Sequence, residues 1–300
     1  MRGLTEAPYR NAFSRYFSGI DLAIGPFITT VKGDSIPTRH IKDVLPENNP
    51  AMPVIPQLLS KDADGFICLA MRLYDLGYDE INWNLGCPYP MVAKKMRGSG
   101  LLPYPEQINI FLDTVLSKIP NRLSIKTRLG RFHEDEILSV LPVLNQYSLS
   151  LIIIHPRTGK QMYEGAPHLE RFNDCLSLSK HPVVYNGDIT SLSTFQMLAS
   201  RFPMTVGWMI GRGLLSNPFL AETIKKGEIQ MDLLKFKHFH DTLYEQYQIN
   251  LNGPGHVLGK MKGHWQYISQ GLEKGRKLLK KIQRTSNLKQ YESIVSGAFQ

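Results

Sequence analysis

Cysteine is scarce in this chain: Cys68, Cys87 and Cys175 are the only three in 300 residues, and they are far apart. An odd, scattered set offers neither a disulfide framework nor a metal-ligand spacing, so a reducing cytoplasm is the expected setting and no metal is expected. Long apolar runs are missing too. No stretch approaches the roughly 18 apolar residues of a membrane helix, and the opening Met1-Arg2-Gly3-Leu4-Thr5-Glu6 has no apolar signal core, so no membrane partner is expected. No glycine-rich turn follows an early strand, which argues against a doubly wound dinucleotide fold. Acids are nearly absent from one segment. Between Gly255 and Gln290, Glu273 stands alone against nine lysines and arginines.

What is present is a core-forming, basic chain. It is 42% hydrophobic with a net charge of +9 and a pI of about 9.3. That balance favours an anionic partner, with nucleic acid first. Short apolar runs rich in β-formers alternate with amphipathic segments up to about residue 226. The strands expected are Asp21–Ile24, Val54–Leu58, Glu80–Asn84, Leu123–Thr127, Leu151–His155, Val183–Asn186 and Val206–Ile210. Helices are expected at Pro8–Phe17, Ala63–Leu76, Pro105–Lys118, Glu134–Tyr147, Leu169–Leu178, Ser191–Ser200 and Pro218–Lys225. Such alternation argues a parallel sheet with helical crossovers. A TIM (β/α) barrel has eight strands and starts with one. Here a helix comes first, so the first strand is expected to be truncated ahead of Met1. From about Met231 the pattern turns helical, with segments at Leu233–Tyr247, Val257–Gly271 and Leu272–Thr285, then a polar tail. The expected division is a barrel over 1–230 and a helical-bundle domain over 231–300. The lysines and arginines concentrated there, Lys260, Lys262, Lys277, Lys280 and Lys281 among them, suit phosphate-backbone contact better than a solvated face of mixed sign.

Each strand is apolar until its last residues and then turns polar. The ends read Gln57; Asn84 with Cys87; Lys126 with Arg128; His155 with Arg157; Asn186-Gly187-Asp188; and Gly211-Arg212-Gly213. In barrel enzymes the chemistry gathers at these ends. A lone histidine would more often be a core residue, but polar ends on successive strands argue a site. Gly187, Gly213 and Arg212 suit an anion close to backbone N–H groups, a mononucleotide rather than a dinucleotide. Lys126 would set a positive charge beside a reduced ring cofactor. For Cys87 the roles of nucleophile, general acid, metal ligand and core filler are open. A metal lacks nearby partners and a nucleophile lacks a neighbouring base, while proton donation to carbon stays possible. Cys68 and Cys175 read as structural.

With these residues in hand, the whole chain resembles the bacterial dihydrouridine synthases, flavoenzymes that reduce uridine in tRNA. Met1-Arg2-Gly3-Leu4-Thr5-Glu6-Ala7-Pro8-Tyr9-Arg10 resembles the family's opening motif, and Asn84-Leu85-Gly86-Cys87-Pro88 its Asn-x-Gly-Cys-Pro signature. Lys126-Thr127-Arg128-Leu129-Gly130 resembles the Lys-x-Arg-Leu-Gly strand end. His155-Pro156-Arg157-Thr158 with Gln161, Tyr163 and Gly165 resembles the following His-x-Arg-Thr motif. The resemblance implies FMN as cofactor, NADPH as reductant and tRNA as partner for a cytoplasmic monomer. It implies FMN contacts from Met1, Gln57, Asn84, Lys126, His155, Asn186, Gly187, Asp188, Gly211 and Arg212. Asn84, Lys94, Arg128, Arg157 and the helical-domain lysines would meet the RNA, and Cys87 would protonate C5 of the uracil after hydride reaches C6. The chain departs from the pattern where Met96 and Arg97 replace small residues, and where Pro156 follows His155. Competing expectations are a flavin barrel that reduces a free pyrimidine, against which the basic domain argues, and a non-catalytic RNA-binding relative, against which Cys87, Lys126 and His155 argue.

Overall fold

The computed structural model describes residues 1–30, 36–227 and 229–299. Its sheet is parallel throughout, and its strands neighbour one another in chain order. The first two strands are each broken by a proline, which cannot donate to a ladder. β1 (Ala23–Ile24) and β2 (Ile28–Thr29) flank Pro26; β3 (Val54–Ile55) and β4 (Gln57–Leu59) flank Pro56. β1 pairs with β3 and β2 with β4. β5 (Glu80–Leu85), β6 (Arg122–Gly130), β7 (Ile152–Thr158), β8 (Val183–Asn186) and β9 (Gly207–Met209) complete the series.

Helices return the chain between strands, and their boundaries follow local chemistry. α1 (Ala7–Tyr16) precedes β1, and the four-residue α2 (Thr38–Ile41) lies between β2 and β3. α3 (Ala63–Asp75) opens where the Asp62 carboxylate accepts from the Gly65 amide at 3.3 Å, a side-chain N-cap. Gly77, at φ +91°, ends that turn of chain. The short α4 (Pro90–Ala93) follows β5, and α5 (Pro105–Leu116) starts on a proline and buries Ile108, Phe111, Leu112 and Val115 at helical spacing. α6 (Glu136–Leu144), α7 (Leu169–Leu178), α8 (Leu192–Arg201), α9 (Arg212–Ser216) and α10 (Leu220–Lys226) follow the later strands.

Among the described residues the strands fill seven places in chain order. β1 and β9 have no second neighbour among the described residues, yet both line one central cavity, so the sheet is curled with its two edges facing across a slot. The chain enters through a turn in which the Leu4 and Thr5 amides donate to the Met1 carbonyl at 3.1 and 3.0 Å, and it passes straight into α1. Leu22 and Val206, at the slot, are 48% and 62% exposed.

After residue 230 the chain forms α11 (Leu233–Asn250), α12 (Pro254–Ile268), α13 (Gly275–Arg284) and α14 (Leu288–Val295). The last corrects the expected polar tail. Leu288, Tyr291 and Val295 fall on one helical face, and Asn287 caps it by accepting from the Gln290 amide at 2.9 Å. These helices share a second core with α1: Tyr9, Phe13 and Phe17 pack with Phe219, Phe239, Tyr247 and Trp265. Among the described residues no helix is long and apolar enough to cross a membrane.

Candidate active site

The strand ends open into a cavity of about 1360 Å³. Gln57, Asn84, Cys87, Lys126, Arg128, His155, Arg157, Asn186, Gly187, Asp188, Gly211, Arg212 and Met1 all line it. Sequence-distant residues meet there because the parallel strands carry them, or the loops that follow, to one side of the sheet, with Met1 added from the N-terminal turn.

A chain of amides fixes the reactive turn. Asn82 accepts from Gln57 Nε2 at 2.7 Å and donates to Ser124 Oγ at 3.0 Å. Asn84 Nδ2 donates to Gln57 Oε1 at 2.7 Å, and Asn84 Oδ1 accepts from the Gly86 and Cys87 amides at 3.1 and 2.8 Å. Asn84 thus closes the turn that presents Cys87. The loop after Cys87 folds back onto it: Ser99 donates to the Cys87 carbonyl from its amide at 3.1 Å and its hydroxyl at 3.0 Å. Burial pushes the Cys87 thiol up, against the Tyr89 amide and the charges of Arg128, Arg2 and Lys126, so it stays protonated at neutral pH.

Lys126 has no hydrogen-bond or ion-pair partner among the described residues. Burial, then the charge of Arg128, lowers its ammonium to about 7. His155 is buried and pushed well below the usual histidine range, by burial first and then by Lys126, Arg128 and Arg157, so its imidazole is neutral. Arg157 Nη1 lies 3.3 Å from His155 Nε2. Arg157 also pairs with Asp188 at 2.6 Å and donates to the Gly165 carbonyl at 2.5 Å. Asp188, at φ +44°, pairs with Arg212 as well. Burial alone would raise its carboxyl, but the Arg157 hydrogen bond and charge, then Arg212, hold it below the usual value. Lys126, Arg128, Arg157 and Arg212 therefore face one carboxylate of their own cluster, Asp188, leaving an excess of positive charge.

The backbone beside that excess is open. A Cβ on Gly211 would meet nothing nearer than Met1 Sδ at 3.8 Å, whereas one on Gly187 would crowd the His155 ring and the Tyr185 hydroxyl at 3.3 Å. Gly213 is tight for a different reason: its Cβ would lie 2.1 Å from the Ile189 carbonyl, a packing demand. An unpartnered ammonium, a glycine-lined rim and Arg212 fit a ring-bearing anionic cofactor, with Gly187, Gly211 and Arg212 at its anion and Lys126, Gln57 and His155 at its ring.

A sequence profile of the dihydrouridine synthases (Dus) matches residues 1–299. The chain belongs to the dihydrouridine synthase family. It is 31% identical over 201 residues to a probable tRNA-dihydrouridine synthase of Staphylococcus epidermidis, covering 65% of this chain and 61% of that one. The match thus spans about three-fifths of that relative. It is 26% identical over 230 residues to tRNA-dihydrouridine synthase B of Pasteurella multocida, covering 75% and 67%. The fold is similar to that of an old yellow enzyme homologue from Zymomonas mobilis, at TM-score 0.54, 11% identity and 80% and 90% coverage. The old yellow enzyme from Trypanosoma cruzi is similar too, at TM-score 0.54, 10% identity and 84% and 88% coverage. That likeness puts the parallel sheet in the TIM-barrel class, with C-terminal helices added.

In this dihydrouridine synthase family member, several expected RNA contacts lie elsewhere. Lys94 is exposed and does not line the cavity. Lys260 is spent inside the protein: it pairs with Glu6 and donates to the Gly3 carbonyl at 3.0 Å, tying α12 to the N-terminal turn. Lys262 donates to the Gln283 and Thr285 carbonyls at 3.0 and 2.6 Å, satisfying the C-terminal end of α13. Lys277, Lys280 and Lys281 are exposed on α13 and have no ion-pair partner among the described residues. Arg128 donates to the Thr158 and Met162 carbonyls at 2.7 and 2.6 Å, so it braces the rim besides facing the cavity.

The site also holds residues that strand-end reading missed. Asn82 sits mid-strand, one register inward. Gln266, Tyr267 and Gln270 reach the cavity from α12 and the turn after it. The Tyr163 ring lies under two guanidinium groups, Arg212 at 4.6 Å and Arg128 at 5.2 Å. Tyr163 carried a signal, its place in the His-x-Arg-Thr motif; Tyr267 had none.

Proposed function

We propose that this protein reduces a uridine of tRNA to 5,6-dihydrouridine, with FMN held in the cavity and NADPH as reductant. One observation carries the reading. A protonated, buried thiol, Cys87, shares a cavity with an unpartnered lysine, Lys126, and with a glycine and arginine rim suited to a phosphate. Family membership supplies the reaction class.

When bound, FMN supplies the hydride that reaches C6 of the uracil. The rest is the work of this chain. Gly187, Gly211 and Arg212 hold the phosphate, and Asp188 aims Arg212. Lys126 offers positive charge where negative charge develops on the ring. Neutral His155 and Gln57 supply hydrogen bonds without adding charge. Cys87 Sγ gives its proton to C5, where enolate charge would otherwise accumulate. Its raised pKa suits a donor, because the thiol is loaded at neutral pH. Asn84 holds the donor in place, and the target base must leave its stack to arrive. Exposed Lys277, Lys280 and Lys281 take the RNA backbone. A monomer in the cytoplasm completes the reading.

The test is to express the protein, or Cys87→Ala, in cells with no other such synthase and to count dihydrouridine in bulk tRNA by mass spectrometry. The parent restores dihydrouridine, and Cys87→Ala lowers the rate by about 100-fold or more, the scale of a lost general acid. Undiminished dihydrouridine from Cys87→Ala removes the proton-donor role. A purified protein that takes up no FMN on reconstitution removes the flavin reading.

A further inference from the structure

Phe132 is 49% exposed in the loop between β6 and α6, at the C-terminal end of the barrel strands but outside the cavity lining itself. Exposed phenylalanines are common, but this one is held by design of its backbone. The Glu136 carboxylate accepts from three successive amides, Arg131 at 2.7 Å, Phe132 at 2.8 Å and His133 at 2.9 Å. The loop is also laced to its neighbours. The Gly159 and Lys160 amides donate to the Gly130 and Arg131 carbonyls at 2.7 and 2.9 Å. Arg131 Nη1 donates to the Pro88 carbonyl at 2.9 Å, one residue from Cys87. The loop that carries the ring is therefore tied to the same turn that presents the reactive thiol.

Its surroundings are cationic. Lys160 Nζ lies 5.1 Å from the ring centroid and the Arg131 guanidinium 5.9 Å. The acids that follow are committed elsewhere: Glu136 to the loop amides, Asp135 to Arg171 and Glu134 to His168. Lys160 is exposed and has no ion-pair partner among the described residues. A half-open aromatic on a braced loop, beside cations with no ion-pair partner among the described residues, is the combination that holds single-stranded nucleic acid: bases stack on the ring and phosphates meet the cations.

We infer that Phe132, with Lys160 and Arg131, is a stacking platform for an unpaired nucleotide of the RNA, adjacent to the one that enters the cavity. The inference rests on the reading of RNA as substrate. It assigns RNA contact to the barrel rim, separately from α13. Stacking is favoured over a protein partner because the patch is one aromatic among cations, not a continuous apolar surface.

The test measures bulk tRNA binding to the full chain across a salt series. Phe132→Ala weakens binding about fivefold or more, the lower end of a lost base–aromatic stack, and leaves the salt slope unchanged because stacking is not ionic. Phe132→Leu is as weak as Phe132→Ala, and Phe132→Trp binds like the parent. Lys160→Gln lowers the slope by about one. Far-ultraviolet circular dichroism checks that the variants fold, as expected for a half-exposed side chain. If Phe132→Ala or Phe132→Leu binds tRNA like the parent while the triple change of Lys277, Lys280 and Lys281 to Gln weakens it, the platform is wrong and the RNA reading stands. If the parent itself does not bind tRNA, both fall.

Discussion

A lysine walled by strands and set near Arg128 gives up its proton easily, and at Lys126 that lowers the ammonium to about 7. An unfolded chain keeps this proton to about 10.4, so between pH 7 and that value the unfolded state binds more protons. The cofactor-free fold therefore gains stability as pH rises through this window, and loses it again as pH falls back toward 7. An anion in the cavity favours the charged form and reverses the preference. FMN binding at pH 8 is thus expected to take up a proton at Lys126, and affinity is expected to weaken as pH rises above 7. Calorimetry in two buffers of different ionisation enthalpy measures the uptake; Lys126→Met should abolish it, and no uptake in the parent would refute the placement of Lys126 at the cofactor ring. Lys126 was legible in the sequence because it follows the apolar alternation of Leu123 and Ile125, although β6 runs on past it to Gly130. Lys260 and Lys262 were not, since their ammonium groups go to Glu6 and Thr285, partners that spacing along one helix cannot reveal.

The loop from Pro88 to Leu101 shows what a short element can demand. Gly98 has φ +56°, and a Cβ there would lie 2.8 Å from both Cβ and the carbonyl oxygen of Cys87. Gly98→Ala therefore meets both an unfavourable backbone and a clash with rigid main chain. It is expected to destabilise the protein by about 2 kcal/mol or more, seen as a lower thermal midpoint, and to lift the loop so that the Cys87 peptide alkylates faster. A parent-like alkylation rate would show that the loop absorbs the methyl group elsewhere. Most elements were readable because their periods are clean, as along α5 and β6. The end of the chain reads only as a polar tail because α14 spans just Leu288–Val295, and its few apolar residues signal a helix only once a core exists to receive Tyr291. The breaks at Pro26 and Pro56 were likewise hidden, since each strand resumes after its proline.

At the scale of the molecule, two cores meet at β1, where Ala23 packs against both. The sheet core surrounds the strands, and the second joins α1 to the C-terminal helices through Phe13, Phe17 and Phe239. The division at residue 230 was drawn from a change in pattern, but contacts between Tyr9 and His264, ring centroids 5.5 Å apart, depend on segments far apart in sequence. Tyr267 enters the active cavity by the same route, which is why strand-end logic could not find it. The slot between β1 and β9 has its own consequence, one of time rather than shape. The Ala23 and Gly25 amides donate to the Pro53 and Ile55 carbonyls at 2.8 and 3.0 Å, and the Val206 amide to Val183 at 3.0 Å. Alternation along a strand then turns the Ile24 and Gly207 amides toward the slot. No partner strand lies there among the described residues, so their hydrogens are expected to exchange with deuterated water faster than the amides paired inside the sheet, while those of β5 and β6 wait for the whole ring to open. Slow exchange at Ile24 and Gly207 would mean that the seam is closed in solution.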